Sequence, residues 1–408
     1  MDDFEPEGKT VLIRVDINSA IENGKIQASE RISAHAQTIA ELSGKNAKVV
    51  VLAHQGRPDK KDFLRLDQHA KLLQKHVKRQ VRHVHDVSGK ETLKRIQKMA
   101  NGKIVLLENV RMLAEEELDG KTKPFKDMMY VQELSRVCDV FVNDAFSVAH
   151  RAQASNMGFA ETLPAYAGRV MQREWNAIQK ATAHAVKPRL YLLGGGKPEE
   201  ALALMEFALE NQKADRILTS GVLGELCLLA KGKKLGLKEK WLDQEGFLTH
   251  LPRVAKLVEK FGDAIDVPGD FAYADADGIR VEVRLEDLLS VEKPVFDIGS
   301  NTANAYAREI RSAQTVYLKG PVGKYEEKAF ELGTVRILSA MAESKGFTLL
   351  GGGHTITAIQ KFGFPFKKFG HVSLAGGALL EILQGKPLPA IEALKDSARR
   401  IGYAQKSH

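Results

Sequence analysis

The sequence predicts an α/β protein made of two Rossmann-like domains, each with a parallel sheet, joined by a helix. Three observations carry that reading. Short β-branched runs alternate with segments of helical period along all 408 residues, the pattern of βα units assembled into parallel sheets. At roughly 150 residues per domain the length suggests two or three cores, and a hydrophobic content of 44% is enough to fill them. An amphipathic stretch from about Pro164 to Ala185 separates two sets of strands without a loop-rich linker, so a helix rather than a flexible tether is expected between them.

In the first half the strands fall at Thr10 to Val15, Lys48 to Ala53, Ile104 to Leu107 and Val140 to Val142. Between the first two, Glu30 to Ser43 repeats its apolar residues at helical spacing. In the second half strands are expected at Leu190 to Leu193, Arg216 to Thr219, Ala264 to Val267, Thr315 to Leu318, Phe347 to Leu350 and His371 to Leu374, with a helix over Thr355 to Lys361. No period of 20 to 50 residues repeats, and no low-complexity tract is present.

Composition narrows the function classes. The chain is 27% charged and 7% aromatic, ordinary for a soluble enzyme and too evenly mixed for a disordered tail or a coiled coil. Its net charge of +8 favours an anionic ligand, either nucleic acid or a phosphorylated metabolite. Cys138 and Cys227 stand far apart in apolar stretches, which excludes a disulfide framework and a CxxC zinc site. The start, Met1-Asp2-Asp3-Phe4-Glu5, is acidic where a signal peptide is basic, and no run reaches the ~18 apolar residues of a membrane span. A cytoplasmic location with no membrane partner is expected.

Ligands of open parallel sheets bind beyond the carboxyl ends of the strands. In the first half those positions hold Asp16 and Asn18, then His54, Gly56 and Arg57, then Glu108, Asn109 and Arg111, then Asn143, Asp144, His150 and Arg151. In the second half they hold Gly194-Gly195-Gly196-Lys197, Ser220-Gly221, Gly320-Pro321-Val322-Gly323, Gly351-Gly352-Gly353-His354-Thr355 and Gly376-Gly377. A cup of side chains for a small anion is thus set against a glycine-lined shelf whose amides and helix N-termini suit phosphate. Each piece alone has a plainer reading: glycine serves tight βα turns, exposed arginine pairs with surface carboxylates, and a lone histidine is more often hydrogen-bonded than reactive. Neither GxxxxGK[ST] nor GxGxxG is matched in full, which argues against a P-loop enzyme and a nicotinamide-dependent oxidoreductase. No basic stripe with interleaved aromatics supports a nucleic-acid partner.

The segments Arg14-Val15-Asp16-Ile17-Asn18, Ala53-His54-Gln55-Gly56-Arg57-Pro58, Leu107-Glu108-Asn109-Val110-Arg111 and Val142-Asn143-Asp144-Ala145-Phe146, followed by Ala149-His150-Arg151, resemble the phosphoglycerate kinase family in that family's own order. Leu193-Gly194-Gly195-Gly196-Lys197, Asp297-Ile298-Gly299, Gly320-Pro321-Val322-Gly323-Lys324-Tyr325-Glu326, Gly351-Gly352-Gly353, and Leu380-Glu381 with Gly385-Lys386-Pro387-Leu388-Pro389 continue the match over nearly the whole chain. The His-Gln-Gly-Arg-Pro wording is similar to the archaeal branch.

The resemblance implies a hinge-bending enzyme that moves the γ-phosphoryl of ATP, with Mg²⁺, onto the carboxylate of 3-phosphoglycerate, giving 1,3-bisphosphoglycerate and ADP, and that runs in reverse in glycolysis. It implies a substrate domain over 1–165, a connecting hinge helix over 166–185, a nucleotide domain over 186–387 and a segment, 388–408, that returns to the first domain. Asp16, Asn18, Arg31, His54, Arg57, Arg111 and Arg151 would bind 3-phosphoglycerate, with Arg31 aimed at the transferring group. Gly195, Gly196, Lys197, Gly221, Glu326, Gly351, Gly352, Gly353, His354 and Thr355 would bind the nucleotide, and Lys197 would share the catalytic role with Arg31. A monomer is expected, with a dimer as the alternative.

The sequence departs from the family at Ala201, where many members carry a second lysine, and at His354, where an aspartate usually meets the Mg-nucleotide. Ser300-Asn301 replaces Pro-Lys and Leu374-Ala375 replaces Thr-Gly. Ala201 and His354 keep open the alternative of a catalytically weakened member.

Overall fold

The computed structural model describes residues 1–118, 120–121 and 123–402. The chain divides into two compact units, Met1–Trp175 with the stretch from Lys386 onward, and Asn176–Gly385.

The first unit is built on a six-stranded parallel sheet ordered Val81–His83, Ile104–Leu106, Lys48–Leu52, Thr10–Arg14, Val140–Asn143, Ala165–Ala167. Its inner strands are apolar on both faces because helices cover both. Val11, Ile13, Val49 and Val51 enter one core with Ile32, Ile39 and Leu73, while Leu12, Val50 and Leu52 enter the other with Val131, Phe141 and Phe159. The helix Pro389–Arg400 lies on this unit: Ala390 N–H donates to Ala149 O (3.1 Å), Ala165 N–H to Ser397 Oγ (3.0 Å) and Arg400 Nη2 to Leu163 O (2.8 Å).

The second unit carries another six-stranded parallel sheet, ordered Ile265–Asp266, Arg216–Thr219, Arg189–Leu193, Thr315–Lys319, Phe347–Gly351, His371–Val372. In chain order this is 3-2-1-4-5-6, the dinucleotide-binding arrangement, whose order reverses between Arg189–Leu193 and Thr315–Lys319. Leu190, Leu192, Val316, Leu318 and Leu350 form one core with Ile310, Ile337 and Ile359 from the covering helices.

Some elements differ from expectation. Pro164 to Ala185 is not one helix: Ala165–Ala167 is an edge strand, and the helix is Arg169–Ala181. Phe141 N–H donates to Pro164 O (2.9 Å), and Asp144 Oδ1 accepts from Val170 N (2.7 Å) and Met171 N (3.2 Å), which starts the helix only after the strand ends. The strands expected at Ala264 to Val267 and His371 to Leu374 shrink to Ile265–Asp266 and His371–Val372. An antiparallel sheet of Asp270–Ala274, Arg280–Arg284 and Asp297–Ile298 lies outside the parallel pattern. Both cysteines are buried free thiols. Among the described residues no helix is long and apolar enough to cross a membrane.

Candidate active site

At the carboxyl edge of the first sheet the candidate side chains rest on a fully buried arginine. Arg14 ends its strand opposite Leu52 and Asn143, so its neighbours Val15 and Asp16 emerge between the loops that follow those strands. Its guanidinium donates from Nε to Ser155 Oγ (3.0 Å), from Nη2 to His54 Nδ1 (3.1 Å) and from Nη1 to Val15 O. The Ser155 hydroxyl passes the charge to Glu116 Oε1 (2.6 Å), which keeps a cation tolerable in the core. Because Arg14 can only donate, His54 Nδ1 is the acceptor and Nε2 bears the proton. Burial, then Arg14, hold the His54 pKa well below the ordinary imidazole value, Asp16 opposing them. His54 is therefore a neutral donor at pH 7.

Asp16 is almost wholly buried and accepts on Oδ2 from Arg31 Nη1 (2.9 Å) and from the Ser147 hydroxyl. Burial pushes its pKa up, but Arg31 first, then His54 and Ser147, hold it well below the usual carboxylate range. Arg31 lies in the first turn of the helix Glu30–Gly44, where the helix dipole disfavours a cation, and Asp16 offsets that cost. Asn18 shapes the next loop: its Oδ1 accepts from Gly56 N (2.8 Å). Gly56 itself has φ +68°, and a Cβ there would lie 2.2 Å from Asp62 O, so this turn requires glycine.

Arg57, Arg111 and Arg151 complete the cup, and the surface-pair reading fails for two of them. Among the described residues neither Arg57 nor Arg151 makes an ion pair, while Arg111 has only Glu117, at 3.6 Å. Arg111 Nε is buried without a hydrogen-bond partner. Burial, then Arg151 and Arg14, lower the Arg111 pKa to about 10. Burial and then Arg57 lower that of Arg151. Uncompensated guanidinium groups pressed together form a site for an anion. Other strand-end residues turn out to be scaffold. Asp144 caps a helix, Asn109 Nδ2 donates to Gln55 O and Leu64 O (both 2.8 Å), and Glu108 Oε1 accepts from Leu66 N (3.0 Å) and Asn109 N (2.8 Å).

In the second unit the strand-order reversal brings three glycine loops against one another. A Cβ on Gly194 would lie 2.7 Å from Pro321 O, one on Gly320 2.5 Å from Gly194 O, and one on Gly221 2.7 Å from Gly195 O. Gly195, Gly221, Gly320 and Gly352 also have φ of +87°, +53°, +82° and +101°. A Cβ on Gly351 would meet Leu379 Cδ2 at 2.3 Å. Backbone packing and conformation thus demand these glycines whether or not a ligand binds. Gly196 and Gly353 are different: neither has a positive φ, and a Cβ on either would meet nothing within 4 Å. Gly196 precedes the helix Pro198–Glu210 by two residues, and Gly353 opens the helix Gly353–Lys361. Glycine at these positions leaves helix N-termini open to close approach by a phosphate.

Thr355 is buried and its Oγ1 accepts from Gly320 N (3.1 Å), tying the last loop to the switch point. Glu326 and His354 come together at the rim, Oε1 to Nδ1 3.5 Å. Lys197 is exposed, with Nζ 3.8 Å from Glu200 Oε1. The sequence reading missed Lys319, the last residue of its strand: its buried ammonium lies 3.3 Å from Glu200 Oε2 and donates to Lys197 O (3.4 Å). Burial lowers its pKa, with Glu200 opposing. Arg14 and Ser147 were missed as well. A charged residue closing an otherwise apolar strand is the one signal that marks both Arg14 and Lys319.

A family model described as phosphoglycerate kinase matches residues 1–386. The phosphoglycerate kinase of Methanococcus maripaludis is 43% identical over 407 residues, covering 97% of this chain and 98% of that protein. That of Methanothermobacter thermautotrophicus is 40% identical over 400 residues, covering 97% and 96%. Among solved structures, the phosphoglycerate kinase from Pyrococcus horikoshii OT3 aligns with a TM-score of 0.89 at 35% identity, over 98% of this chain and 99% of that chain.

Proposed function

The chain belongs to the phosphoglycerate kinase family, and we propose how its own residues carry that family's reaction. The activity is reversible transfer of a phosphoryl group between ATP and the carboxylate of 3-phosphoglycerate, a kinase step of glycolysis. The acceptor has a reference pKa near ~4 and is ionised at neutral pH, so no general base is needed. The difficulty is bringing two anions together and stabilising negative charge on the migrating group, which is work for positioned cations.

The observation that carries the residue assignment is the cluster of Arg57, Arg111 and Arg151 in the first unit, in which, among the described residues, only Arg111 has a carboxylate partner, Glu117. Arg57, Arg111 and Arg151 bind the phosphate and carboxylate of 3-phosphoglycerate, arginine's planar fork suiting both. His54 donates from Nε2, Asn18 orders the loop that presents Arg57, and Asp16 aims Arg31 at the transferring phosphoryl group. In the second unit Gly196 and Gly353 admit the ATP phosphates to helix N-termini, Gly195, Gly221, Gly351 and Gly352 shape the shelf, and Thr355 fixes its last loop. Lys197 neutralises the transferring phosphate, and Glu326 with His354 faces the rest of the nucleotide. The proposed domains are a substrate domain over 1–165, a connection over 166–185, a nucleotide domain over 186–387 and a segment from 388, described to residue 402, that returns to the first; the compact units themselves divide at Trp175 and Gly385. The family's hinge motion is the means by which the two ligands meet.

Mg²⁺ accompanies ATP in this family. Among the described residues, neither His354, whose imidazole is a poor ligand for a hard cation, nor Glu200, which faces Lys197 and Lys319, offers a site for it. The reading of a weakened enzyme is not favoured, because Lys319, although paired with Glu200, places a second cation beside Lys197 O, in the glycine loop. The test is ADP production from ATP and 3-phosphoglycerate, with isothermal titration of each ligand. Arg57→Ala and Arg151→Ala weaken 3-phosphoglycerate and spare ATP. Equal loss of both ligands would refute the assignment.

A further inference from the structure

Outside this site the first unit gathers four metal-ligating side chains for which the phosphoryl transfer has no use. His83 ends the edge strand Val81–His83 and His85 lies two residues on, so the strand period turns both to one face. Their rings meet edge to face with centroids 4.5 Å apart. Asp67 opens the helix Asp67–Val77, and Glu108 follows the neighbouring strand Ile104–Leu106. One ligand atom from each lies within 4.8 Å of the other three. His83 Nδ1 is 3.2 Å and His85 Nδ1 3.6 Å from Asp67 Oδ1, while His83 Nε2 is 3.6 Å and His85 Nδ1 4.0 Å from Glu108 Oε2. Donors bound at ~2.0–2.2 Å around a tetrahedral ion stand ~3.3–3.6 Å apart; His83 can give an ion only one of its two ring nitrogens, so the four ligand atoms, now within 4.8 Å of one another, close by up to ~1.5 Å on binding.

Two further observations point to a ligand. His83 is nine-tenths buried; its Nδ1 is hydrogen-bonded to Asp67 Oδ1, whereas its Nε2, which faces Glu108, has no hydrogen-bond partner, a state that needs explaining in a native interior. Glu108 is held by Leu66 N and Asn109 N on Oε1, which leaves Oε2 aimed at the histidines. Its competitor is Arg65 Nε at 2.9 Å, on a side chain 57% exposed that can turn into solvent.

We propose that Asp67, His83, His85 and Glu108 bind one divalent transition-metal ion, with Zn²⁺ the best fit. Two imidazoles favour Zn²⁺ over Mg²⁺ or Ca²⁺, which take oxygen ligands. Four protein ligands close the coordination shell, so the ion is structural: it staples a helix start, an edge strand and the loop leading to Arg111.

The test uses the full chain, stripped with a chelator and titrated calorimetrically with Zn²⁺ in excess Mg²⁺ and without nucleotide. One Zn²⁺ binds per chain and raises the melting temperature. His85→Ala and Asp67→Asn, both at exposed positions, weaken binding at least ~10-fold each, and the double variant His83→Ala/His85→Ala at least ~100-fold. His76→Ala, an exposed histidine of the same helix, changes nothing. Absence of stoichiometric uptake by the folded wild-type chain, or uptake unaltered in His85→Ala, overturns the proposal. Kinase activity is measured in parallel, so this result stands apart from the assignment of the phosphoryl-transfer site.

Discussion

Replacing Gly353 and Gly320 by alanine separates glycine kept for a ligand from glycine kept for the fold. At Gly353 the added methyl meets nothing within 4 Å and the backbone is already helical. Removing glycine's unfolded-state freedom then stabilises the protein by ~0.4–1 kcal/mol, or ~1–4 °C for a unit of this size. The same methyl holds a phosphate away from the helix N-terminus. Loss of one hydrogen bond to a charged group costs ~1.5–3 kcal/mol, a ~10- to 100-fold weaker Kd for ATP. At Gly320 the sign of the stability change reverses. A φ of +82° and a Cβ 2.5 Å from Gly194 O combine left-handed strain of ~1–2 kcal/mol with a backbone clash of ~1–3 kcal/mol. Scanning calorimetry reads the stability and isothermal titration reads ATP. A Gly353→Ala protein that binds ATP as tightly as the wild type would refute the reasoning. So would a Gly320→Ala protein that melts at the wild-type temperature.

Arg31→Ala lowers kcat by ~10³-fold or more with little change in nucleotide affinity, and a loss below about tenfold in steady-state assay removes Arg31 from its role. Lys319→Met weakens ATP while 3-phosphoglycerate binding stays unchanged, as titration of each ligand shows; unaltered ATP affinity leaves Lys319 a purely structural lysine. Burial raises the pKa of Glu225 to about 6 from 4.5, with Lys238 opposing. The folded state therefore holds more protons than the unfolded chain between those values, and stability falls by ~2 kcal/mol as pH rises through that window. Denaturant titrations at pH 4.5 and 6.5 detect this contribution, and Glu225→Gln abolishes it; a slope identical in both proteins contradicts it.

The inner strands were legible because burial on both faces makes them continuous apolar runs, as in Val49-Val50-Val51-Leu52. The edges were not. Val81–His83 has one apolar residue, and Ala165–Ala167 lies directly before a helix whose period absorbs it. The hairpin joining Asp270–Ala274 to Arg280–Arg284 had its turn written in Asp275-Ala276-Asp277-Gly278, where Asp275 Oδ1 accepts from Asp277 N and Ile279 N. Its half-exposed strand Arg280–Arg284 lacks a core-facing run. In the site, the arginines after the strands could be picked out by position. Arg14 and Lys319 each show only as a charge closing an apolar strand, and their burial, a product of packing, could not be read. Nor does composition tell Gly196 from Gly194: only the space around the missing Cβ separates a glycine that packing requires from one left open.

The most direct measurement is a crystal structure of the chain with 3-phosphoglycerate and Mg-ADP. The 3-phosphoglycerate should lie on Arg57, Arg111 and Arg151 with His54 Nε2 donating to it, and the ADP phosphates on the amides beside Gly196 and Gly353. Density for 3-phosphoglycerate away from those arginines, or for the nucleotide away from the glycine loops, would contradict the assignment of both surfaces.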